Sequence, residues 1–131
     1  MKKVILTLAS AFSMFQAAHA AQSKPFTKEA FDSAIIGKGA FVVAFHSDSC
    51  GSCKIQKPNL ESALIEDPLV QVEGLMANFE ASAEFRKHLE KPVRGPSTIL
   101  VFKNGKEISR ILGETSKEKI RDLISSSIVN N

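Results

Sequence analysis

The chain has 131 residues, 44% of them hydrophobic and 24% charged, and its 17 basic and 14 acidic side chains give a formal net charge of +3. It contains nine phenylalanines, no tryptophan or tyrosine, and only two cysteines. A chain of this size is large enough to build a core without disulfide staples. It fits a single domain of ordinary size.

At the N-terminus, Lys2 and Lys3 precede an apolar stretch from Val4 to Phe15, followed by the small-x-small triplet Ala18-His19-Ala20. The pattern predicts a secretory signal peptide over residues 1–20, cleaved after Ala20. A transmembrane anchor is the weaker reading. Ser10, Ser13 and Gln16 interrupt the stretch, and it falls short of the roughly 20 apolar residues a bilayer requires. No cysteine follows the cleavage site, so no lipid anchor is expected there. Removing the leader takes Lys2 and Lys3 with it and leaves 15 basic against 14 acidic residues. The basicity is then a targeting feature, and neither a nucleic-acid nor an anionic-membrane partner is expected. Residues 21–131 form the expected folded domain, periplasmic or secreted.

Thr27 is placed to cap a helix running to Ile36, with Phe26 and Phe31 spaced as a hydrophobic staple and Gly37 and Gly39 ending it. Residues 40–46 are β-branched and aromatic and predict a buried strand. A helix follows from Cys50 to Ile65, with Pro58 inside it as a kinking residue. Residues 69–77 predict a second strand, weakened by Gly74, and 82–90 a short helix with Phe85 and Leu89 on one side. Thr98 to Phe102 reads as a strand, Asn104-Gly105 as a hairpin turn, and Glu107 to Leu112 as the antiparallel return. Thr115 with Glu118 forms a capping box for a last helix presenting Ile120, Leu123, Ile124 and Ile128 on one face. The order predicts an α/β fold, a mixed sheet of about four strands flanked by helices.

The two cysteines stand together as Cys50-Gly51-Ser52-Cys53, at a strand-to-helix junction. The unpaired N–H groups at a helix start favour a thiolate on Cys50, the expected nucleophile. Cys53, one turn in, is placed to attack a mixed disulfide and release the product. A purely structural bridge here would close too small a loop to constrain the unfolded chain much.

The segment from Phe41 to Pro58 resembles the thioredoxin family: apolar strand, CxxC, helix, then a proline a few residues on. The segment Val93-Arg94-Gly95-Pro96-Ser97-Thr98-Ile99-Leu100-Val101-Phe102-Lys103-Asn104-Gly105 resembles the family's second signature. The resemblance covers nearly all of the chain after the leader and implies a thioredoxin fold and a thiol–disulfide oxidoreductase. Three positions depart from the family. Ser49 stands where a tryptophan is usual and Ala44 where thioredoxins proper carry a buried aspartate. Counted back from Phe102 without a gap, the family's cis-proline falls on Ser97. The alternative register makes Pro96 the cis residue and absorbs one extra residue before the strand. A cis bond before Ser97 would cost about 2.5–4 kcal/mol, so a trans bond is expected if Ser97 holds the position. Gly95-Pro96-Ser97-Thr98 is similar to the loop in the C-terminal domain of DsbD-type transmembrane reductants, with its second proline lost. These four residues are the expected substrate-facing loop.

Gly51 and Ser52 bring no strongly stabilising group, so the Cys50 pKa is expected only moderately below about 8.5. Lys54 favours its thiolate modestly and Asp48 opposes it. Without a carboxylate at Ala44, proton transfer at Cys53 falls to water, Glu80 or His46. His46 is expected to be a packed or hydrogen-bonded histidine and His88 a surface one. No cofactor is expected. Two function classes remain at this point. One is an exported oxidoreductase, reducing or isomerising rather than oxidising. Its partners would be disulfide-containing exported proteins or a dedicated redox client, with a membrane protein as electron donor, and it would be a monomer. The other is a binding module, a chaperone or metal-delivery protein whose cysteines, with His46 or His88, are ligands.

Overall fold

The computed structural model describes residues 23–131; the expected leader, residues 1–20, lies outside them. Five strands and four helices follow in the order β1 (Ser23–Pro25), α1 (Lys28–Gly37), β2 (Phe41–His46), α2 (Gly51–Leu64), β3 (Glu73–Asn78), α3 (Ala83–His88), β4 (Thr98–Lys103), β5 (Lys106–Leu112) and α4 (Lys117–Val129). The strands form one mixed sheet in the order β1-β3-β2-β4-β5. β1 and β2 run parallel to β3, while β2–β4 and β4–β5 are antiparallel.

β2 is central because it is apolar on both faces, as a strand covered on both sides must be. Its alternation sorts the core into two clusters. Val42 and Ala44 join Ile99 and Val101 under Leu60, Ala63 and Leu64 of α2 and Ile120 and Ile124 of α4. Phe41, Val43 and Phe45 join Leu100 and Phe102 on the other face, under Phe31, Ala34 and Ile35 of α1 and Phe85 of α3. There Phe41 stacks on Phe102 at 4.8 Å between ring centroids, and Phe31 and Phe85 meet edge-on at 4.8 Å.

Several expected boundaries move, each for a local reason. The fifth strand, β1, falls in a stretch with no strand pattern. It is short and polar and is held at the sheet edge by backbone pairing with β3. β3 starts at Glu73 rather than at residue 69, because Leu69 and Val72 donate backwards to Glu66 and Leu69 carbonyls in successive turns. Gly74 is a site of close approach. A Cβ there would lie 2.6 Å from Leu64 Cδ1, so a bare backbone lets the end of α2 press onto β3.

Thr27 caps α1 as expected, its Oγ1 accepting from Ala30 N at 3.0 Å. The left-handed residue that ends this helix is Lys38 (φ 55°), between the two glycines expected to stop it. The cap of α4 is Ser116, not Thr115: its Oγ accepts from Lys119 N, while the Thr115 carbonyl is taken by Asn59 Nδ2 at 2.6 Å. Ile120 and Ile124 are buried as expected, but Leu123 is 43% exposed and lies off the core stripe.

Candidate active site

The site is built where β2 ends and α2 begins. After His46 the chain turns through Ser47, whose carbonyl accepts from Cys50 N at 3.1 Å. Ser47 Oγ donates to Glu80 Oε1 at 2.5 Å and pairs with Ser49 Oγ at 3.1 Å, tying this turn to the segment after β3. The hydrogen bond from Ser47 holds the Glu80 carboxyl below its ordinary range, with the residue's own backbone N–H and the nearby Arg86 and His46 adding to it.

Cys50 is the N-cap of α2, and its Sγ accepts from Cys53 N at 3.2 Å. The sulfur thus sits against the free N–H groups and the positive end of the helix, where a thiolate is stabilised. Cys50 and Cys53 form a disulfide with their Cα atoms 5.3 Å apart. Cys50 is half-buried at the rim, whereas Cys53 is only 3% exposed. The burial of Cys53 follows from helical spacing. Cys53, Gln56, Leu60 and Ala63 form one stripe that α2 turns inward.

Opposite the disulfide lies the loop before β4. Ser97 is 3% exposed, and its Oγ lies 3.2 Å from Cys50 Sγ, 3.1 Å from Cys53 Sγ and 2.5 Å from Ser52 Oγ. Its backbone is held on both sides. Ser97 N donates to Phe45 O at 2.9 Å, and Ser97 O accepts from Gln56 Nε2 at 3.0 Å and from Gly113 N at 2.9 Å. Ser97 takes a positive φ of 60°, and the peptide bonds on either side of Pro96 are trans; the cis bond among the described residues is Asp67–Pro68. The register with a cis Pro96 is therefore corrected. Ser97 is the residue that faces the sulfurs, with a trans bond before it. Of the other loop residues, Gly95 and Pro96 are half-buried, and Thr98 is buried with its Oγ1 donating to Gly95 O at 2.8 Å.

The remaining polar residues fall elsewhere. Glu80 is engaged by Ser47, not by a cysteine. His46 is half-buried, and its Nδ1 meets no hydrogen-bonding partner among the described residues. His88 lies on the surface, Nδ1 against Glu84 O. Lys54 and Asp48 are exposed beside the cysteines. Among the described residues no group of three or more His, Cys, Asp or Glu converges as a metal site would require. Sequence reasoning missed two features. One is the hydroxyl pair Ser52–Ser97. The other is Gln56, 2% exposed, which donates to both Ser97 O and Glu114 O. A polar residue three positions after Cys53, on the same inward stripe, was the available signal for Gln56.

The sequence matches the Thioredoxin family model over residues 22–126. It is 31% identical to a thioredoxin of Chlamydia pneumoniae over 102 residues, covering 78% of this chain and 95% of that protein. It is 32% identical over 111 residues to "Bloodstream-specific protein 2" of Trypanosoma brucei brucei, of which it spans 21%. In fold it is similar to the crystal structure of Trxlp from Edwardsiella tarda, with a TM-score of 0.72 and 24% identity over 79% of this chain and 98% of that one. With its disulfide-capable Cys50–Cys53 pair at the start of α2, the chain belongs to the thioredoxin family and is a thiol–disulfide oxidoreductase.

Proposed function

We propose that the protein is exported and reduces or isomerises disulfides in exported client proteins, or passes electrons to one dedicated client, as a monomer recharged by a membrane donor. The observation that carries the chemistry is the asymmetry of the pair, with Cys50 at the rim on the helix N-terminus and Cys53 buried behind it. In the reducing direction, the Cys50 thiolate attacks a client disulfide. A Cys50–client disulfide forms and the other client sulfur leaves as a thiolate. The Cys53 thiolate then attacks Cys50 Sγ, the Cys50–Cys53 disulfide forms, and the client's second sulfur departs as a thiolate. Two electrons pass from the dithiol to the client.

Export rests on the charged, apolar and small-residue pattern of residues 1–20. The preference for reduction rests on the similarity of the Gly95–Thr98 loop to reductant domains. Changing Cys53 to Ser removes the resolving thiol. Mixed disulfides trapped on Cys50 in a periplasmic extract are the expected result, and their absence overturns the proposed exchange. A potential of the pair near −270 mV supports reduction, and one near −120 mV reverses the direction. N-terminal sequencing of the exported protein is expected to begin at Ala21.

A further inference from the structure

We propose that the Ser97 hydroxyl is a catalytic hydrogen-bond donor that follows the negative charge between the two sulfurs, with Ser52 holding it in place. The inference deepens the exchange reading above and rests on it for its role in turnover.

Ser97 Oγ lies 3.2 Å from Cys50 Sγ and 3.1 Å from Cys53 Sγ, so one oxygen is within reach of both reacting atoms. A serine hydroxyl carries one proton and two acceptor lone pairs. Ser52 Oγ, 2.5 Å away, shares one proton with it. In the reduced protein, a Ser97 hydroxyl that donated to Ser52 would leave a Cys53 thiolate without a donor among the described residues, because Ser97 Oγ is the hydrogen-bonding partner that Cys53 Sγ has there. With Ser52 donating to Ser97, the Ser97 proton is free for sulfur, and the donated bond polarises the hydroxyl and strengthens its own. Rotation about the Cβ–Oγ bond alone then aims the same proton at either sulfur. The oxygen itself hardly moves, since both backbone groups of Ser97 are anchored, to Phe45, Gln56 and Gly113.

The charge does move. When Cys50 is the attacking thiolate, the hydroxyl donates to Cys50 Sγ. When the mixed disulfide is resolved, the thiolate is on Cys53, and the hydroxyl donates there. As Cys53 Sγ bonds to Cys50 Sγ, the electron pair passes to the departing client sulfur, and both protein sulfurs end neutral. Among the described residues no charged side chain hydrogen-bonds to either sulfur or to Ser97 Oγ. The Ser97 hydroxyl is therefore the donor left to stabilise a thiolate on buried Cys53, whereas Cys50 Sγ also receives the Cys53 N–H and lies 3.4 Å from Ser52 Oγ. Hydrogen bonds to an ionised acceptor are among the strong ones. In the disulfide both sulfurs are neutral and accept only weakly, so losing the hydroxyl penalises the reduced, charged form.

The test uses Ser97→Ala and Ser97→Gly in the full chain. Both remove the hydroxyl, but alanine keeps the constrained positive φ and glycine relieves it, so their stabilities diverge. Thiolate absorbance is titrated in the reduced proteins. The equilibrium with glutathione is measured near the ordinary thiol pKa of about 8.5. In both variants the acidity of Cys50 is expected to fall roughly tenfold. The dithiol–disulfide equilibrium shifts several-fold toward the disulfide at this pH, approaching roughly tenfold, about 30 mV more negative, once the pH exceeds the variant's pKa. Ser52→Ala is expected to move both in the same direction by less. Acidity and potential within twofold of wild type in both variants overturn the proposal, as do opposite shifts that track stability. These are equilibrium properties of the cysteine pair. If the Cys53→Ser protein traps no client and the variants still shift together, the exchange reading falls and the hydroxyl assignment stands. If it traps clients and the variants do not shift, only the hydroxyl assignment falls.

Discussion

On one face of the sheet, Phe41, Val43 and Phe45 meet the rings of Phe31, Phe85 and Phe102, a packing dominated by aromatic contacts. On the other, Val42 and Ala44 meet the aliphatic side chains of α2 and α4, and the inward stripe of α2 runs on from Leu60 into Gln56 and Cys53. The same central strand serves both. The aromatic face places large rings where burial is worth most, roughly 1.5–3 kcal/mol for each fully buried phenylalanine. The aliphatic face gives up apolar contacts at one end and fills that end with sulfur, hydroxyl and amide groups. A fold can house reactive polar atoms in its interior when the opposite face carries enough of the stability.

Three substitutions break or sharpen this contrast. Phe41→Ala, on the aromatic face, is expected to lower stability most, by about 3–5 kcal/mol in denaturant unfolding. The acidity of Cys50 should stay within twofold of wild type; a larger change would mean that the faces are not independent. Gln56→Ala, on the site face, is expected to cost about 1–3 kcal/mol, because the Glu114 carbonyl loses its donor from the amide. It should also slow disulfide exchange, since Ser97 and the loop before α4 lose their common tie. Equal loss of stability with unchanged exchange would make the amide purely structural.

Glu80→Gln is expected to have the smallest effect. The Glu80 carboxyl is held below its ordinary value of 4.5 by Ser47, so its contribution is present above that value and lost as pH falls through the lowered one. The stability difference between wild type and variant should be constant near neutrality and shrink as pH drops below the ordinary carboxylate range. A difference that grows on acidification would show that the Ser47–Glu80 contact does not favour the carboxylate.

The elements legible in the sequence were those whose signal is local. The buried strand at 41–46, the CxxC junction, and the hairpin at Asn104-Gly105 with its positive φ angles all declare themselves in consecutive residues. What was not legible depended on partners distant in sequence. β1 exists because β3 offers it a backbone edge, and its three residues carry no strand pattern. The α4 cap sits on Ser116 because Asn59, on another helix, occupies the Thr115 carbonyl. In the candidate site, the cysteines could be located by spacing, but the meeting of Ser52 with Ser97 and the span of Gln56 come from tertiary placement. Counting back from Phe102 set Ser97 against the site in position; nothing local told that its hydroxyl reaches both sulfurs.

The backbone at Ser97 also limits how this chain can change. Its φ of 60° lies far from the roughly −65° that a pyrrolidine ring imposes, and its N–H is committed to the Phe45 carbonyl. Restoring the proline usual in the family would break that hydrogen bond and require the Gly95–Thr98 loop to be rebuilt around it. One substitution cannot reverse the departure. The loop and its serine therefore stand or fall together, and seating a proline at this position requires several coordinated changes.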